Sequence, residues 1–293
     1  MSNFQQIEVQ IINAFVDNDK GGNAAGVVLN ADDLSSEQKL SIARRVGLSE
    51  TAFVSKSQAA DFKLDFFTPT RQIAHCGHAT IAAFSYLAQL GKIATTSSSK
   101  ETIDGRREIL IRDDLAFMEQ KAPQFTIINQ EKNIILESLG LSEDDLLKNA
   151  PISVVNTGNS FAIIPVDSPD VLKKIQPDFN SITQVSEEDD LIGYYVFCLQ
   201  PNLVGRDAST RMFAPRYGIT EEAGTGMAAG PLACYLYDLL NLKKNQFLIE
   251  QGWFMAQPSP SLIIVDLLLD NNRITNVMAG GRGKPMSVIT VSI

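Results

Sequence analysis

The residues of this sequence that are best suited to chemistry lie in a few short stretches. Both histidines, His75 and His78, fall within four residues that also contain Cys76, one of three cysteines. Any reaction that needs an imidazole must therefore use this stretch. Glu50 stands just before the strand-like run Ala52-Phe-Val54, where a solvated charge is not expected. It is either a paired or capping carboxylate or a desolvated general base.

A second set of polar residues lies in the other half of the chain. Glu221 and Glu222 precede the glycine-rich run 224–230, which contains Thr225. In the first half, Ser49 beside Glu50 is a further short hydrogen-bonding group. A carboxylate base, an imidazole and a second carboxylic acid are the groups that abstraction of a proton next to a carboxylate requires. The sequence therefore favours proton transfer on an anionic substrate, without an electron carrier.

Three other kinds of site fit these residues less well. A metal site is disfavoured because three ligands in the four residues from His75 to His78 cannot easily converge on one ion. A Cys-His hydrolase would use Cys76 near a helix N-terminus, which lowers a thiol pKa, but a buried structural cysteine is the simpler interpretation. The glycines of 224–230 match a dinucleotide fingerprint only superficially, because Glu221 and Glu222 stand where an apolar strand should precede them.

Two apolar helices must position these groups. Phe67-Thr-Pro leads through Gly77 into an apolar segment ending at Leu90, and Phe213-Ala-Pro leads through Gly226 into a similar segment. The two phenylalanines are 146 residues apart (213 − 67) in a chain of 293, so the pattern indicates a duplicated unit. Helix N-termini carry unpaired N–H groups that favour anions, and two such ends could face one cleft.

Alternation of apolar and polar residues predicts strands around both helices. We expect a first lobe at 1–114, completed by a C-terminal strand at 284–293, and a second lobe at 115–283. Three connecting segments are predicted from their polar or glycine-rich sequences: a loop at Thr95–Lys100, a solvated acidic loop at Ser186–Asp190 and a hinge at Gly280–Gly283.

Composition restricts the class of protein. The net charge is −9, from 25 basic and 34 acidic residues, which disfavours binding to nucleic acid phosphates. No apolar run approaches the roughly 18 residues that span a bilayer. Three scattered cysteines and a polar first ten residues predict a cytoplasmic protein without a disulfide framework.

Several motifs together resemble the PhzF-like phenazine-biosynthesis protein family, which shares its fold with diaminopimelate epimerase. The resemblance extends along essentially the whole chain. The motifs that carry it are Gly22-Asn-Ala-Ala-Gly-Val-Val28, Leu48-Ser-Glu-Thr-Ala-Phe53, Phe67-Thr-Pro69, Cys76-Gly-His-Ala-Thr80, Met212-Phe-Ala-Pro215, Gly226 to Pro231, Gln251-Gly252 and Gly280-Gly281.

The resemblance implies an α+β fold with two pseudo-symmetric lobes, each a β-barrel-like sheet around a central helix, in a homodimer. It also implies a cofactor-independent isomerase that holds no metal and acts on a small carboxylate substrate. In such an enzyme Glu50 moves a proton, with His78 and Glu222 as further catalytic residues. The residues expected to bind the substrate are Asn23, Ser49, Gly77, Thr225, Gly226 and Met227.

Two departures from the family pattern bear on the substrate. Met227 stands where the family commonly has Ser, and Ala24 stands where Asn-Pro is usual. Both indicate a substrate other than the phenazine precursor. The related epimerases use one cysteine from each lobe, but here Cys76 has Thr225 as its counterpart, so a two-thiol racemase is disfavoured. An epimerase that pairs Glu50 or Cys76 with Glu222, and a metabolite-binding protein without turnover, stay as alternatives.

Overall fold

The computed structural model describes residues 5–128 and 131–293. The chain forms two compact units. The first comprises the chain up to Glu119 together with Gly280–Ile293, and the second comprises Gln120–Ala279. Each unit contains a mixed sheet that packs against one strongly apolar helix. The predicted α+β fold of two similar lobes is therefore confirmed.

The first unit is a closed sheet around a buried helix. Its strands are β1 (Gln6–Ala14), β2 (Asn23–Val28), β3 (Thr51–Ser55), β4 (Phe62–Phe67), β5 (Gln72–Ile73), β6 (Ser97–Thr102), β7 (Gly105–Arg112) and β8 (Leu115–Lys121), and its helices are α1 (Ser36–Val46) and α2 (Gly77–Gln89). The sheet order is β1-β2-β3-β4-β6-β7-β8, followed by the final strand of the chain, which pairs back with β1 and closes the barrel. Helix α2 contacts β1, β2, β3 and β7.

The second unit repeats this plan with additional helices. Its strands are β9 (Gln124–Ile127), β10 (Ser153–Asn156), β11 (Ser160–Pro165), β12 (Gly193–Cys198), β13 (Ala208–Phe213), β14 (Gln246–Gln251), β15 (Ser261–Asp270) and the start of β16 (Arg273–Ser292), and its helices are α3 (Lys132–Ser138), α4 (Pro169–Lys174), α5 (Phe179–Glu188) and α6 (Gly226–Asp238). The sheet order is β16-β15-β14-β13-β12-β11-β10-β9. Helix α6 contacts β10, β11 and β15.

The duplication seen in the sequence appears as repeated topology. Strands β4 and β13 end at Phe67 and Phe213, and each is followed by a helix of 13 residues. The strand after the helix then pairs parallel to the strand before it, as β6 does with β4 and β14 with β13. Both helices are apolar on nearly every face, which fits helices enclosed by a sheet.

Local signals set the ends of the peripheral helix α1. Ser35 and Gln38 form a capping box, in which the backbone N–H of Gln38 donates to the Ser35 hydroxyl at 3.3 Å. Gly47 ends the helix in the left-handed region at φ 71°. In the part of the chain that the structure describes, no helix has the combined length and apolar character needed to cross a membrane.

Two of the predicted connecting segments are wrong because residues classed as polar or solvated are buried in regular structure. Most of the polar loop predicted at Thr95–Lys100 belongs to β6, where Ser98 and Ser99 are buried and their hydroxyls donate to Asp61. The acidic run at Ser186–Asp190 is largely the last turn of α5, and buried Ser186 donates to a backbone carbonyl of the same helix.

The predicted hinge at Gly280–Gly283 is also wrong, since these glycines lie inside the continuous strand β16. A Cβ added at Gly280 would lie 2.1 Å from the carbonyl oxygen of Ala116. The glycine therefore permits close approach of two strands and does not provide a flexible joint.

Candidate active site

Glu50 is a buried carboxylate at the start of a central strand. It immediately precedes β3, and its backbone carbonyl accepts a hydrogen bond of 3.0 Å from Gly26 in β2. The residue is only 7% exposed. A Cβ at Gly26 would lie 2.8 Å from the Thr51 hydroxyl, so the glycine allows β2 and β3 to approach at this point. The backbone of Glu50 is thus fixed by the sheet, and its side chain lies in the protein interior.

His78 reaches Glu50 from the first turn of α2. Cys76 has an extended backbone and Gly77 begins the helix, which places His78 in the first turn with 4% exposure. The Nε2 atom of His78 lies 3.3 Å from Oε2 of Glu50. The two atoms are not aligned for a hydrogen bond, so we describe the pair as a close electrostatic contact.

Cys76 contacts the other nitrogen of the same ring. Its Sγ atom lies 3.7 Å from Nδ1 of His78, and the thiol is buried. Burial is the main cause that raises the pKa of Cys76. The thiol form is therefore favoured, which argues against the Cys-His hydrolase because that chemistry requires a thiolate.

Glu50, Cys76 and His78 carry the donor types that bind transition metals, and one atom from each lies within 4.8 Å of the others. However, His78 presents Nε2 to Glu50 and Nδ1 to Cys76. Chelation by a single ring nitrogen would require the imidazole to turn. As it stands, the imidazole lies between the two side chains, with one ring nitrogen near each of them.

The structure adds a buried lysine that the sequence reasoning missed. Lys100, on β6, is completely buried, and its ammonium group donates to the Thr80 hydroxyl at 2.7 Å. Thr80 in turn donates to the carbonyl of Cys76 at 2.6 Å. Lys100 thereby supports the entry to α2. The segment that ends at this lysine, Ser97-Ser-Ser-Lys100, contains no apolar residue, so a polar loop was predicted there.

Burial changes the ionisation of this lysine and of His75 beside it. Desolvation lowers the pKa of Lys100 to about 7. The pKa of His75 lies well below its usual value because of burial and then because of the charges of Lys100 and Arg107. Lys100 Nζ and His75 Nδ1 are 3.3 Å apart. His75 therefore belongs to a group of residues separate from the contact between His78 and Glu50.

In the second unit, the structure separates the adjacent carboxylates Glu221 and Glu222. Glu221 forms a two-bonded ion pair with buried Arg211, with both nitrogen–oxygen distances at 2.8 Å. Glu222 accepts a hydrogen bond from the hydroxyl of Thr225. Glu221 is therefore committed to a structural pair, and Glu222 is the carboxylate beside the start of α6.

Gln251 organises the segment that carries Glu222 and Thr225. Its side-chain amide donates to the Glu222 carbonyl at 2.7 Å and to the Thr225 hydroxyl at 3.0 Å, and its oxygen accepts from the Thr225 amide at 3.0 Å. The Tyr195 hydroxyl donates to the same oxygen at 2.9 Å. The alternation of apolar and polar residues did not predict these hydrogen bonds, because it indicates only that Gln251 ends a strand.

Gly226 and Met227 begin α6. The Gly226 carbonyl accepts from the Gln120 amide at 2.9 Å, and Gln120 lies so close to the helix that a Cβ at Gly230 would be 2.2 Å from its oxygen. Met227 is partly exposed, and its sulfur is 3.7 Å from the side-chain nitrogen of Asn159. A thioether therefore stands where the family pattern places a hydroxyl.

The remaining predicted binding residues differ in their surroundings. Asn23 is buried and opens β2 opposite Ala14, so its backbone is part of the sheet. Gly77 is the first residue of α2, and Ser49 is exposed on the loop before Glu50. Within the first unit, the fold thus brings Glu50 against His78, with Ser49 and Gly77 as their chain neighbours.

Comparison with known proteins shows the family to which the chain belongs. The sequence model of the family described as phenazine biosynthesis-like protein matches residues 12–287. An Escherichia coli (strain K12) protein named uncharacterized isomerase YddE is 35% identical over 282 residues, covering 94% of each chain. The trans-2,3-dihydro-3-hydroxyanthranilate isomerase of Pseudomonas chlororaphis is 29% identical, covering 93% of this chain and 95% of its own.

A solved structure leads to the same family. The PhzF family phenazine biosynthesis protein of Bacillus anthracis superposes with a TM-score of 0.88 at 27% identity, over 99% of this chain and 100% of its own. The family predicted from the motifs is confirmed by these matches. The chain belongs to the phenazine biosynthesis-like, or PhzF-like, protein family.

Proposed function

We propose that this protein is a cofactor-independent isomerase that moves a proton on a small carboxylate-bearing metabolite, with Glu50 as general acid and base. The observation that carries the proposal is the buried Glu50 carboxylate, fixed at the start of β3, with His78 Nε2 3.3 Å away. The isomerase names of the curated relatives support the same class of reaction.

In the proposed reaction, Glu50 removes a proton from a substrate carbon and returns it at another position. Glu50 is 7% exposed, so bulk water competes little with a substrate for its carboxyl group. The positive end of α2 adjoins His78, and helix N-termini favour negative charge. We therefore assign the N–H groups of this first turn, beginning at Gly77, to the substrate carboxylate.

Glu222 is proposed as the second acid/base group. Its partner Thr225 and the start of α6, Gly226 and Met227, are proposed to contact the substrate. Because Glu221 is held by Arg211, it is not assigned a role in proton transfer. Asn23 and Ser49 complete the proposed binding residues of the first unit.

The substrate class is narrowed by Met227. A thioether accepts hydrogen bonds only weakly, so a substrate hydroxyl or amine that a serine would bind is less well satisfied here. We propose a substrate with a less polar group at this position than trans-2,3-dihydro-3-hydroxyanthranilate, the compound named for the Pseudomonas chlororaphis relative.

The proposal is tested by isotope incorporation. The protein is incubated in D₂O with that compound and a panel of small amino, hydroxy and unsaturated carboxylic acids, and deuterium on carbon is measured by mass spectrometry and proton NMR. Glu50→Gln should retain binding and lower the labelling rate by about 10²–10⁴-fold, the usual effect of removing an acid–base group. The exposed Glu108→Gln in the same unit is the matched control.

The possible results separate the candidate functions. Equal labelling by wild type and Glu50→Gln would exclude Glu50 from proton transfer. Labelling of a carbon without change of double-bond position would favour the epimerase alternative. Saturable binding of a panel compound without any labelling would favour a metabolite-binding protein.

Two further parts of the proposal concern location and assembly. A cytoplasmic location is supported by the three cysteines, all of which are free thiols in the structure. A homodimer is proposed from the family resemblance, and light scattering on the purified chain tests it directly.

A further inference from the structure

The imidazole of His78 has a different neighbour at each nitrogen. Nε2 lies 3.3 Å from the Glu50 carboxylate, and Nδ1 lies 3.7 Å from the Cys76 sulfur. All three residues are less than 9% exposed. In a neutral imidazole one nitrogen donates and the other accepts, so the two neighbours must agree on a single tautomer.

The chemistry of the neighbours selects that tautomer. An ionised carboxylate only accepts hydrogen bonds, whereas a thiol carries a proton that it can donate. Burial favours the thiol form of Cys76. A proton on Nε2 lies on the side of the Glu50 carboxylate and leaves the Nδ1 lone pair to accept from the Cys76 thiol. A proton on Nδ1 would instead place the Nε2 lone pair against the Glu50 carboxylate and an N–H against the S–H.

We propose that Cys76 is a positioning residue whose S–H donates to Nδ1 of His78 and holds the ring in the tautomer that presents Nε2–H to Glu50. Cys76 takes no part in bond making. The inference rests on the proposed function in one respect only: the ring nitrogen that carries the proton is the one 3.3 Å from Glu50, the residue to which proton transfer is assigned.

The arrangement also explains why a cysteine here does not require a second cysteine. A thiol that acts as a base in catalysis must lose its proton, and burial opposes that loss. A thiol that donates to an imidazole uses the protonated form. The hydroxyl of serine donates in the same way, whereas alanine does not, so the chain offers a matched pair of substitutions at one position.

Nitrogen-15 NMR of the rings tests the tautomer without any substrate. The chain has two histidines, so a protein labelled with ¹⁵N-histidine gives two ring systems, which His75→Gln assigns. In wild type and in Cys76→Ser, the His78 ring should be neutral and protonated on Nε2. In Cys76→Ala, Nδ1 should lose the chemical shift of a hydrogen-bonded acceptor.

Because Glu50 also favours Nε2–H, the contribution of Cys76 is isolated in the Glu50→Gln background, where the amide can either donate or accept. There, Cys76→Ala should lower the ratio of Nε2–H to Nδ1–H tautomer by about fivefold relative to Cys76→Ser, which corresponds to a hydrogen bond of about 1 kcal/mol. Equal ratios in the two variants would overturn the proposal, as would a His78 ring protonated on Nδ1 in the wild type.

Kinetics then separate this inference from the proposed function. With a labelling substrate, Cys76→Ser should stay within about twofold of wild-type kcat, and Cys76→Ala should lose about fivefold in kcat with little change in KM. Inactivity of the Ser variant with an unchanged ring tautomer would show that sulfur has a chemical role and would overturn the assignment as a positioning residue. A confirmed tautomer in a protein without turnover would leave the positioning role intact and refute the isomerase.

Discussion

Replacement of Lys100 by methionine should change how the stability of the protein depends on pH. The Lys100 side chain is completely buried, and in the described part of the chain its ammonium group has no carboxylate within ion-pair distance. Its pKa falls from 10.5 to about 7 in the folded protein because of this burial. Methionine has a similar length and no titrating group, so Lys100→Met removes the ionisation with little change in volume.

The sign and size of the effect follow from proton binding. Between about pH 7 and pH 10 the unfolded chain keeps a proton on Lys100 that the folded protein has largely lost. The unfolded state then binds more protons, so the free energy of unfolding rises with pH, by about 1.4 kcal/mol for each pH unit. Relative to Lys100→Met, wild type should therefore gain about 2.5 kcal/mol between pH 7.5 and pH 9.5.

Guanidinium unfolding followed by circular dichroism at several pH values measures this difference. Subtracting the stability of Lys100→Met from that of wild type at each pH cancels the contributions of the other titrating groups. If the two units unfold in separate transitions, the effect should fall on the one that includes β6. Lys63→Met is the control, because the Lys63 side chain on the adjacent strand is 46% exposed and hydrated in both states.

A difference that does not change with pH would refute the reasoning. It would mean that Lys100 stays charged in the folded protein, with water or an anion reaching it. The same conclusion would follow if the stability difference between wild type and Lys63→Met rose with pH as much as the difference between wild type and Lys100→Met. If Lys100→Met is less stable than wild type by the same amount at every pH, the Lys100–Thr80 hydrogen bond contributes to stability and the ionisation of Lys100 does not.

Three further substitutions test two structural assignments. Glu221→Gln should lower the free energy of unfolding by about 3 kcal/mol because it leaves buried Arg211 without its charge partner. Glu222→Gln, at the carboxylate bonded to the Thr225 hydroxyl, should lower the free energy of unfolding less. Equal losses would contradict the separation of the two carboxylates. Gly280→Ala should destabilise the protein by about 1–3 kcal/mol because the new Cβ would lie 2.1 Å from the Ala116 carbonyl oxygen, and an unchanged melting temperature would restore the interpretation of this segment as a hinge.

The family motifs and the duplicated plan could be predicted from the sequence. The two Phe-x-Pro motifs precede apolar helices, and both signals depend on residues that are close together in the chain. Apolar character on every face of a helix requires burial whatever surrounds it, because exposure of those side chains to water is unfavourable. The capping box of α1 was also predictable, because it depends only on residues within a stretch of four.

The roles within the candidate site depended on tertiary structure. The residues next to Lys100 in the sequence do not predict its burial. Its partner Thr80 is 20 residues away and reaches it only because α2 packs against the sheet. Residue type does not distinguish Glu221 from Glu222, and before the structure only the family resemblance favoured Glu222. Arg211, on strand β13, shows that Glu221 is held in an ion pair. Ionisation depends on burial by parts of the chain that are distant in sequence, as with Lys100, so local pattern identifies the chemical groups and the fold decides their surroundings.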